Sequence, residues 1–259
     1  QNKINRFKKY NLWFINNDSK FSKPKLYGTQ YGGFYLPINL SKDIFKKSKI
    51  IYYGIGVGED ISFDIIMGNK LGAEIVLVDP TPRAKLHYDK IIKSFSTNKY
   101  EKHKNEGGGD SNYQIIIKNN KIEPKQILFE NTGIGIINST QKFYMNKNPN
   151  NVSGSFDSNM NFVNKNNYIN VHIKTIDTIM AKYNHSTIDI LKLDIEGLEI
   201  EVLNYILDKN ILPKIICVDF DSVREGKRKN EFELLKKRLK GKNYYLYHND
   251  NLDITFIRN

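Results

Sequence analysis

The 259-residue chain holds a single cysteine, Cys217, so no disulfide can close within it, and no Cys/His spacing resembles a zinc site. Nowhere does an apolar run approach the roughly 20 residues that span a bilayer. The first residues, QNKINRFKKYNLWF, lack the apolar core of a signal peptide. They also lack an initiator methionine, which points to an excised domain or a processed chain. These absences give the expectation of a soluble, cytoplasmic protein in a reducing compartment, with Cys217 as a small core residue inside KIICVDF. Acids are also short, 28 against 40 Lys and Arg, for a formal net charge of +12. That excess invites a nucleic-acid partner. It is carried mainly by lysine, however, in stretches such as REGKRKNEFELLKKRLKGK, where Phe232, Leu235 and Leu239 form an apolar stripe under a solvated face.

What is present suits a globular core: 39% hydrophobic residues, 12% aromatic. Short Ile/Val/Tyr-rich runs alternate with helical patterns. KIIYYGIG (49–56) and AEIVLVDP (73–80) read as buried strands, each followed by a helix, DISFDIIMGNKLG (60–72) and PRAKLHYDKIIKSF (82–95). Apolar strands alternating with helices predict a parallel sheet covered on both faces. Residues 98–112, with three glycines among charges, read as a flexible loop, and 146–167 as a long polar loop. QILFENTGIGIIN (126–138) and QKFYM (141–145) read as extended chain joined by an Asn-Ser-Thr turn. The alternation resumes with a helix at 175–183, a strand at 187–194, a helix at 198–210 and a strand at 214–221. NYYLYHND and LDITFIRN, separated by a turn too short for a crossover, must pair antiparallel. The expected fold is α/β and similar to the Rossmann-like class I methyltransferases: a mostly parallel seven-stranded sheet with a C-terminal antiparallel hairpin. Residues 1–45 form an N-terminal extension packing on the core and 46–259 the catalytic domain.

Gly54, Gly56 and Gly58 lie between the first buried strand and its helix, where a ligand approaches backbone at the sheet's carboxyl edge. Asp79 ends the next strand, about 20 residues on, where an acid binds ribose hydroxyls. Glu59 and Asp60 stand at the helix start, where a pyrophosphate would bind; two carboxylates would repel it and welcome a cation. That argues for S-adenosylmethionine over NAD. Capping of the helix by Asp60 is the plainer alternative.

LKLDIEGLE (191–199) ends an apolar run in three acids. Asp194 and Glu196 are the candidate catalytic residues, for a carboxylate can take the proton of an attacking hydroxyl. Alternatively Asp194, Asp219 and Asp221 hold Mg²⁺. Glu196 and Glu199 also suit the positive N-terminus of the following helix. Tyr27, Gln30 and Tyr31 are candidate substrate-side residues, as a lid or as N-terminal packing. His172 reads as a surface residue, His185 as orienting a strand entry, and Trp13 as an N-terminal anchor.

Several stretches together resemble the FkbM-like S-adenosylmethionine-dependent methyltransferases: STIDILKLDIEGLEIEVL, VHIKTIDTIMAKYNHSTID, YYGIGVGEDISFD, VDPTPRA and YGTQYGGFYLP. The resemblance spans most of 27–210 and weakens in 98–125 and 146–168. It implies methyl transfer, in many members to a hydroxyl of a sugar or glycan, and membership in larger multidomain glycan-modifying proteins. Pro80, Thr81 and Gly133 complete the cofactor-binding set, although Pro-Thr-Pro replaces a plain helix start after Asp79. An RNA methyltransferase and a non-catalytic cofactor-fold binding module are the competing readings.

Overall fold

The structure is a computed structural model that describes residues 23–97, 100, 106–151, 154–195, 197–224 and 226–259. Trp13 and Glu196 lie outside the described residues. A seven-stranded sheet forms the centre, built from β3 (Ile51–Ile55), β4 (Glu74–Val78), β5 (Ile127–Glu130), β10 (Ile190–Leu193), β11 (Ile215–Asp219), β12 (Tyr244–Asp250) and β13 (Asp253–Arg258). Its order is β12-β13-β11-β10-β3-β4-β5. The five strands from β11 to β5 run parallel, and β13 joins β11 antiparallel. The C-terminal pair β12–β13 is the antiparallel hairpin expected from its short turn.

Alternation along β3 shows why the sheet is covered on both faces. Ile51, Tyr53 and Ile55 enter one core, with Ile176 and Ile179 of α4 (Ile176–Lys182), Leu203 of α5 (Glu199–Asp208) and Leu235 of α7 (Lys229–Gly241). Tyr52 enters the other, with Phe63 and Ile65 of α1 (Ser62–Leu71), Ile91 of α2 (Pro82–Thr97) and Tyr113 of α3 (Asn112–Lys118). The second core also takes Tyr27, Phe34 and Leu36 of an N-terminal hairpin, β1 (Pro24–Tyr27) and β2 (Phe34–Pro37). Thr255 Oγ1 donates to Tyr35 O at 2.8 Å and ties that hairpin to β13. His185 bridges neighbouring strands, with Nδ1 2.9 Å from Tyr53 Oη and Nε2 2.7 Å from Glu74 Oε1.

Gly54 sits inside β3 and not in the loop that follows it. A Cβ there would lie 2.2 Å from Asp64 Oδ1 and 3.0 Å from Tyr52 Oη. That hydroxyl donates to Asp64 Oδ1 at 2.7 Å in full burial. Gly54 therefore makes room for a buried acid and leaves the expected cofactor set. Gly54→Ala is expected to lower unfolding stability by about 1–3 kcal/mol, the usual range for overpacking. A urea midpoint unchanged from wild type would show that Asp64 simply moves aside.

A second sheet of four strands, ordered β6-β9-β7-β8, projects beside the first. It comprises β6 (Gly133–Ile134), β7 (Ser139–Asn146), β8 (Gly154–Ser155) and β9 (Val163–Lys174). The runs at 126–138 and 141–145 do contain extended chain: β5 joins the large sheet, while β6 and β7 flank β9, parallel and antiparallel respectively. One expectation is corrected by this sheet. Residues 163–167, expected to be loop, belong to β9: Val163 pairs with Asn146 of β7, and 164–167 form an irregularity, mostly exposed, before pairing resumes at Tyr168 with Tyr144. The glycine triplet is likewise placed: Glu106–Gly109 form a 3₁₀ turn with Glu106 buried, and Gly107 N donates to Glu59 O at 3.1 Å. Among the described residues no helix is long and apolar enough to cross a membrane.

Candidate active site

The strand order reverses between β3 and β10, and a cavity of about 280 Å³ opens at the carboxyl ends of β3, β4, β10 and β11. Its floor is the glycine turn. Gly56 takes φ +75° and Gly58 φ +51°, both left-handed, and Gly56 N donates to Val78 O at 2.8 Å. A Cβ on Gly56 would stand 1.7 Å from the carbonyl oxygen of Asp194. The glycine turn and the end of β10 are thus in backbone contact.

Asp79 lines this cavity, but its carboxylate turns back onto the chain. Oδ2 accepts from the N–H groups of Val57 (3.1 Å) and Gly58 (2.9 Å); Oδ1 accepts from Thr81 N (2.8 Å) and Thr81 Oγ1 (2.6 Å). Four donors fill the roughly four lone-pair sites of a carboxylate. Asp79 thus holds the glycine turn in shape. Pro80, Thr81 and Gly133 line the cavity as expected positions.

Glu59 and Asp60 also line the cavity, yet the electrostatic argument built on them changes. Arg83, at the start of α2, grips Glu59 through Nη2–Oε2 at 2.5 Å and Nε–Oε1 at 3.4 Å, so that charge is already paired. Asp60 accepts from Ser62 N, the first N–H of α1, at 2.8 Å, and from Thr29 Oγ1 at 2.5 Å. Asp60 thus satisfies the first N–H of α1 from one position before its N-cap, Ile61, and Glu59 has a protein partner. Repulsion of a pyrophosphate by two bare carboxylates is not what this site offers.

Thr29 belongs to the turn between β1 and β2, and its bond to Asp60 lays that turn over the cavity mouth. Of the three substrate-side candidates there, Tyr31 alone lines the cavity, beside Gly32. A Cβ on Gly108 would meet the Tyr31 side chain at 2.6 Å, so the glycine triplet seats this ring. Tyr27 is buried elsewhere, its hydroxyl donating to Pro37 O at 3.1 Å. Gln30 is exposed and meets Asp110 only through its backbone N–H, at 3.2 Å.

At the opposite wall stand Asp194, Asp219 and Asp221, with one carboxylate oxygen of each lying within 4.8 Å of the others. Burial drives the Asp194 carboxyl up to about 7; Lys192 and Arg224 pull it down, and Asp221 and Asp253 push it up. Burial likewise raises Asp219 to about 9, helped by Asp194, Asp221 and Asp253. The cation expected to relieve this crowding is a side chain. Arg224, on the short helix α6 (Asp221–Arg224), binds Asp219 through Nη2, Asp221 through Nη1 at 2.5 Å and Asp253 through Nη2 at 3.1 Å. With a guanidinium in that place, charge repulsion no longer calls for Mg²⁺. Glu199 is fully buried; its Oε1 accepts from Gly197 N at 2.6 Å, fixing a turn in which Gly197 takes φ +125°. Burial raises the Glu199 carboxyl to about 8.

Lys192, Thr132, Phe143, Phe156 and Arg224 are site residues that the sequence pattern does not single out. Lys192 lines the cavity at 1% exposure, and Asp64, Asp194 and Asp60 keep it charged against burial. It does carry a signal, since a lysine amid the apolar run ILKL is anomalous for a buried strand. Arg224 carries one too, three residues after Asp221 on the same turn of helix. Thr132 Oγ1 and Asp221 Oδ2, both in cavity-lining residues, are buried without a hydrogen-bond partner. A ligand with hydroxyl or amino groups would satisfy them.

A family model described as the methyltransferase FkbM domain matches residues 67–246. No curated protein and no solved structure matches the chain.

Proposed function

The chain belongs to the FkbM methyltransferase family, and from that premise we propose that it moves a methyl group from S-adenosylmethionine to a hydroxyl of a sugar or glycan. The observation that carries the reading is Asp194: a carboxylate at a strand end, in the cavity, touching the glycine turn through its own backbone and ionising near neutral pH. When bound, adenosylmethionine supplies an electrophilic methyl on sulfur; a C–O bond forms, the C–S bond breaks, and S-adenosylhomocysteine leaves. The chain's part is to hold and to deprotonate. Asp79 keeps Val57 and Gly58 N–H groups in register, Thr132 offers its orphaned hydroxyl, and Tyr31 covers the mouth. Asp194 takes the acceptor proton as its oxygen meets the methyl carbon in line. The sheet order supports a Rossmann-like class I arrangement, with residues 46–259 as the catalytic domain and 1–45 as an N-terminal extension, whose hairpin at 24–37 packs on the core.

Glu196 remains a second candidate base on sequence position alone. Asp194, Asp219 and Asp221 are also close enough to share an ion, but Arg224 favours the base reading over Mg²⁺. RNA is the competing acceptor: the lysine excess favours it, but no aromatic-rich basic stripe accompanies that charge in the sequence. A reducing compartment such as the cytoplasm suits the buried free Cys217.

Two measurements test this. Calorimetry should give saturable binding of adenosylmethionine or S-adenosylhomocysteine and weaker or no binding of NAD; the reverse order would overturn the cofactor. Transfer of labelled methyl should go to sugar nucleotides or glycans; transfer to RNA alone would move the acceptor to the competing class.

A further inference from the structure

A second cavity, of about 270 Å³, lies beside the first and shares two of its walls, Ile134 and Phe156. The chain itself leads from one to the other: Asp194 and Ile195 line the first, and Leu198, just before α5, and Val202 of α5 line the second. An acceptor whose hydroxyl meets Asp194 therefore has this space as its natural continuation.

The second cavity is aliphatic. Besides Phe156 its apolar walls are Ile, Leu and Val, with Gln141, Asp157 and Glu201 as its polar members. Glu201 is already paired with Arg228 at 2.7 Å. Sugar rings are held by polar groups and flat aromatic surfaces, and this lining offers little of either. An aliphatic chain matches it by the ordinary rule that branched apolar side chains take up methylene groups.

The rim strengthens the case. Ile136 and Ile137 are 45% and 68% exposed, an unusual state for two consecutive isoleucines. They are not on a frayed loop. Gly135 N donates to Lys174 O at 3.1 Å, and the Asn138 side chain holds Thr175 N at 2.8 Å and Thr178 Oγ1 at 3.0 Å. The fold fixes both ends of a turn whose tip presents apolar surface to water beside the active cavity. Apolar surface held in that way marks a binding site.

We infer that the acceptor is amphiphilic: a hydroxyl-bearing polar head placed at Asp194, carrying an aliphatic chain that lodges in the second cavity against Ile136 and Ile137. This rests on the methyl-transfer reading and narrows its substrate class from any glycan to a lipid-linked or alkyl-bearing one.

The test uses octyl β-glucoside, below its micelle concentration, and methyl β-glucoside as matched probes. Each is titrated by calorimetry into the chain with and without S-adenosylhomocysteine. Octyl glucoside should bind saturably, about tenfold or more tighter than methyl glucoside, since the added methylenes leave water. Ile136→Asp/Ile137→Asp should abolish that difference, and both positions are exposed enough for the fold to survive. Leu234→Asp, at an exposed leucine on α7, should preserve it. Absent or unsaturable octyl binding, equal binding of both probes, or octyl binding indifferent to the isoleucine pair overturns the inference. So does a dimer, seen by sedimentation, that the pair variant dissociates, because the rim would then be a subunit contact. Failure of S-adenosylhomocysteine to bind would count against the methyl-transfer reading instead, and the alkyl titration is read independently of it.

Discussion

Gly56→Ala should leave a chain that no longer binds adenosylmethionine measurably and no longer turns over. The reason is steric and local. Gly56 has φ +75°, and its missing Cβ points at the Asp194 carbonyl, 1.7 Å from the oxygen and 2.6 Å from the carbon. Left-handed backbone costs a residue with a Cβ about 1–2 kcal/mol. Overpacking against a rigid partner adds about 1–3 kcal/mol. Backbone cannot rotate away as a side-chain tip can, so β3 and β10 must part at their carboxyl ends. That movement strains the bond from Gly56 N to Val78 O and displaces Asp194 together with the turn. Gly109→Ala is the control: it too has positive φ, +83°, but nothing lies within 4 Å of its added Cβ. It should lose only the backbone contribution and keep affinity. Urea unfolding and calorimetric titration of both variants decide the matter. A folded Gly56→Ala chain with wild-type affinity and turnover would mean that the close approach of the two strand ends is dispensable.

The architecture was readable from the sequence wherever burial wrote itself into the residue pattern. β3, β4, β10 and β11 are apolar on both faces because helices cover both, and each strand is long enough to stand out from its neighbours. The same logic failed at β9. Its residues 164–167 are an irregularity between the Asn146–Val163 and Tyr144–Tyr168 pairs, with mostly exposed side chains, so nothing in their hydrophobicity announces a strand. At the site, the glycines and the terminal aspartates were legible as residue types, but their partners were not. Asp79 was legible as an acid at a strand end, but its bonds to Val57, Gly58 and Thr81 were not. Glu59 looked like a bare charge and is paired with Arg83, 24 residues away in sequence. Arg224 changes the meaning of Asp219 and Asp221 completely. The Glu59–Arg83 pair and the bonds from Val57 and Gly58 to Asp79 join positions that topology brings together and local pattern does not contain, whereas Arg224 pairs locally with Asp221, three residues before it.

Asp194→Asn should keep the fold and the cofactor while lowering turnover at least about a hundredfold, the range for loss of a general base. The substitution preserves shape and removes the carboxylate proposed to receive the acceptor proton. Wild-type kcat/KM should rise with pH through about 7, where Asp194 ionises, and the variant should lack that rise. The stability of the two proteins should diverge in the opposite sense. Burial raises Asp194 from 3.8 to about 7 in the folded chain. An acid shifted upward in this way favours folding fully below its unfolded value and loses that contribution as pH climbs through the folded value. Wild type should therefore weaken between about pH 4 and pH 7 through this residue, whereas the neutral amide should not. At pH 8 the variant should be the more stable of the two by about 1–3 kcal/mol, after discounting the attraction of Lys192 and Arg224 that it forfeits. Thermal unfolding at pH 5 and pH 8 reads this directly. EDTA should leave wild-type activity unchanged, since Arg224 already neutralises Asp219 and Asp221. If EDTA abolishes activity and Mg²⁺ restores it, Asp194 is a metal ligand and the base assignment falls. Near-normal turnover in a folded, cofactor-binding Asp194→Asn chain would sink both roles and leave orientation alone as the source of catalysis.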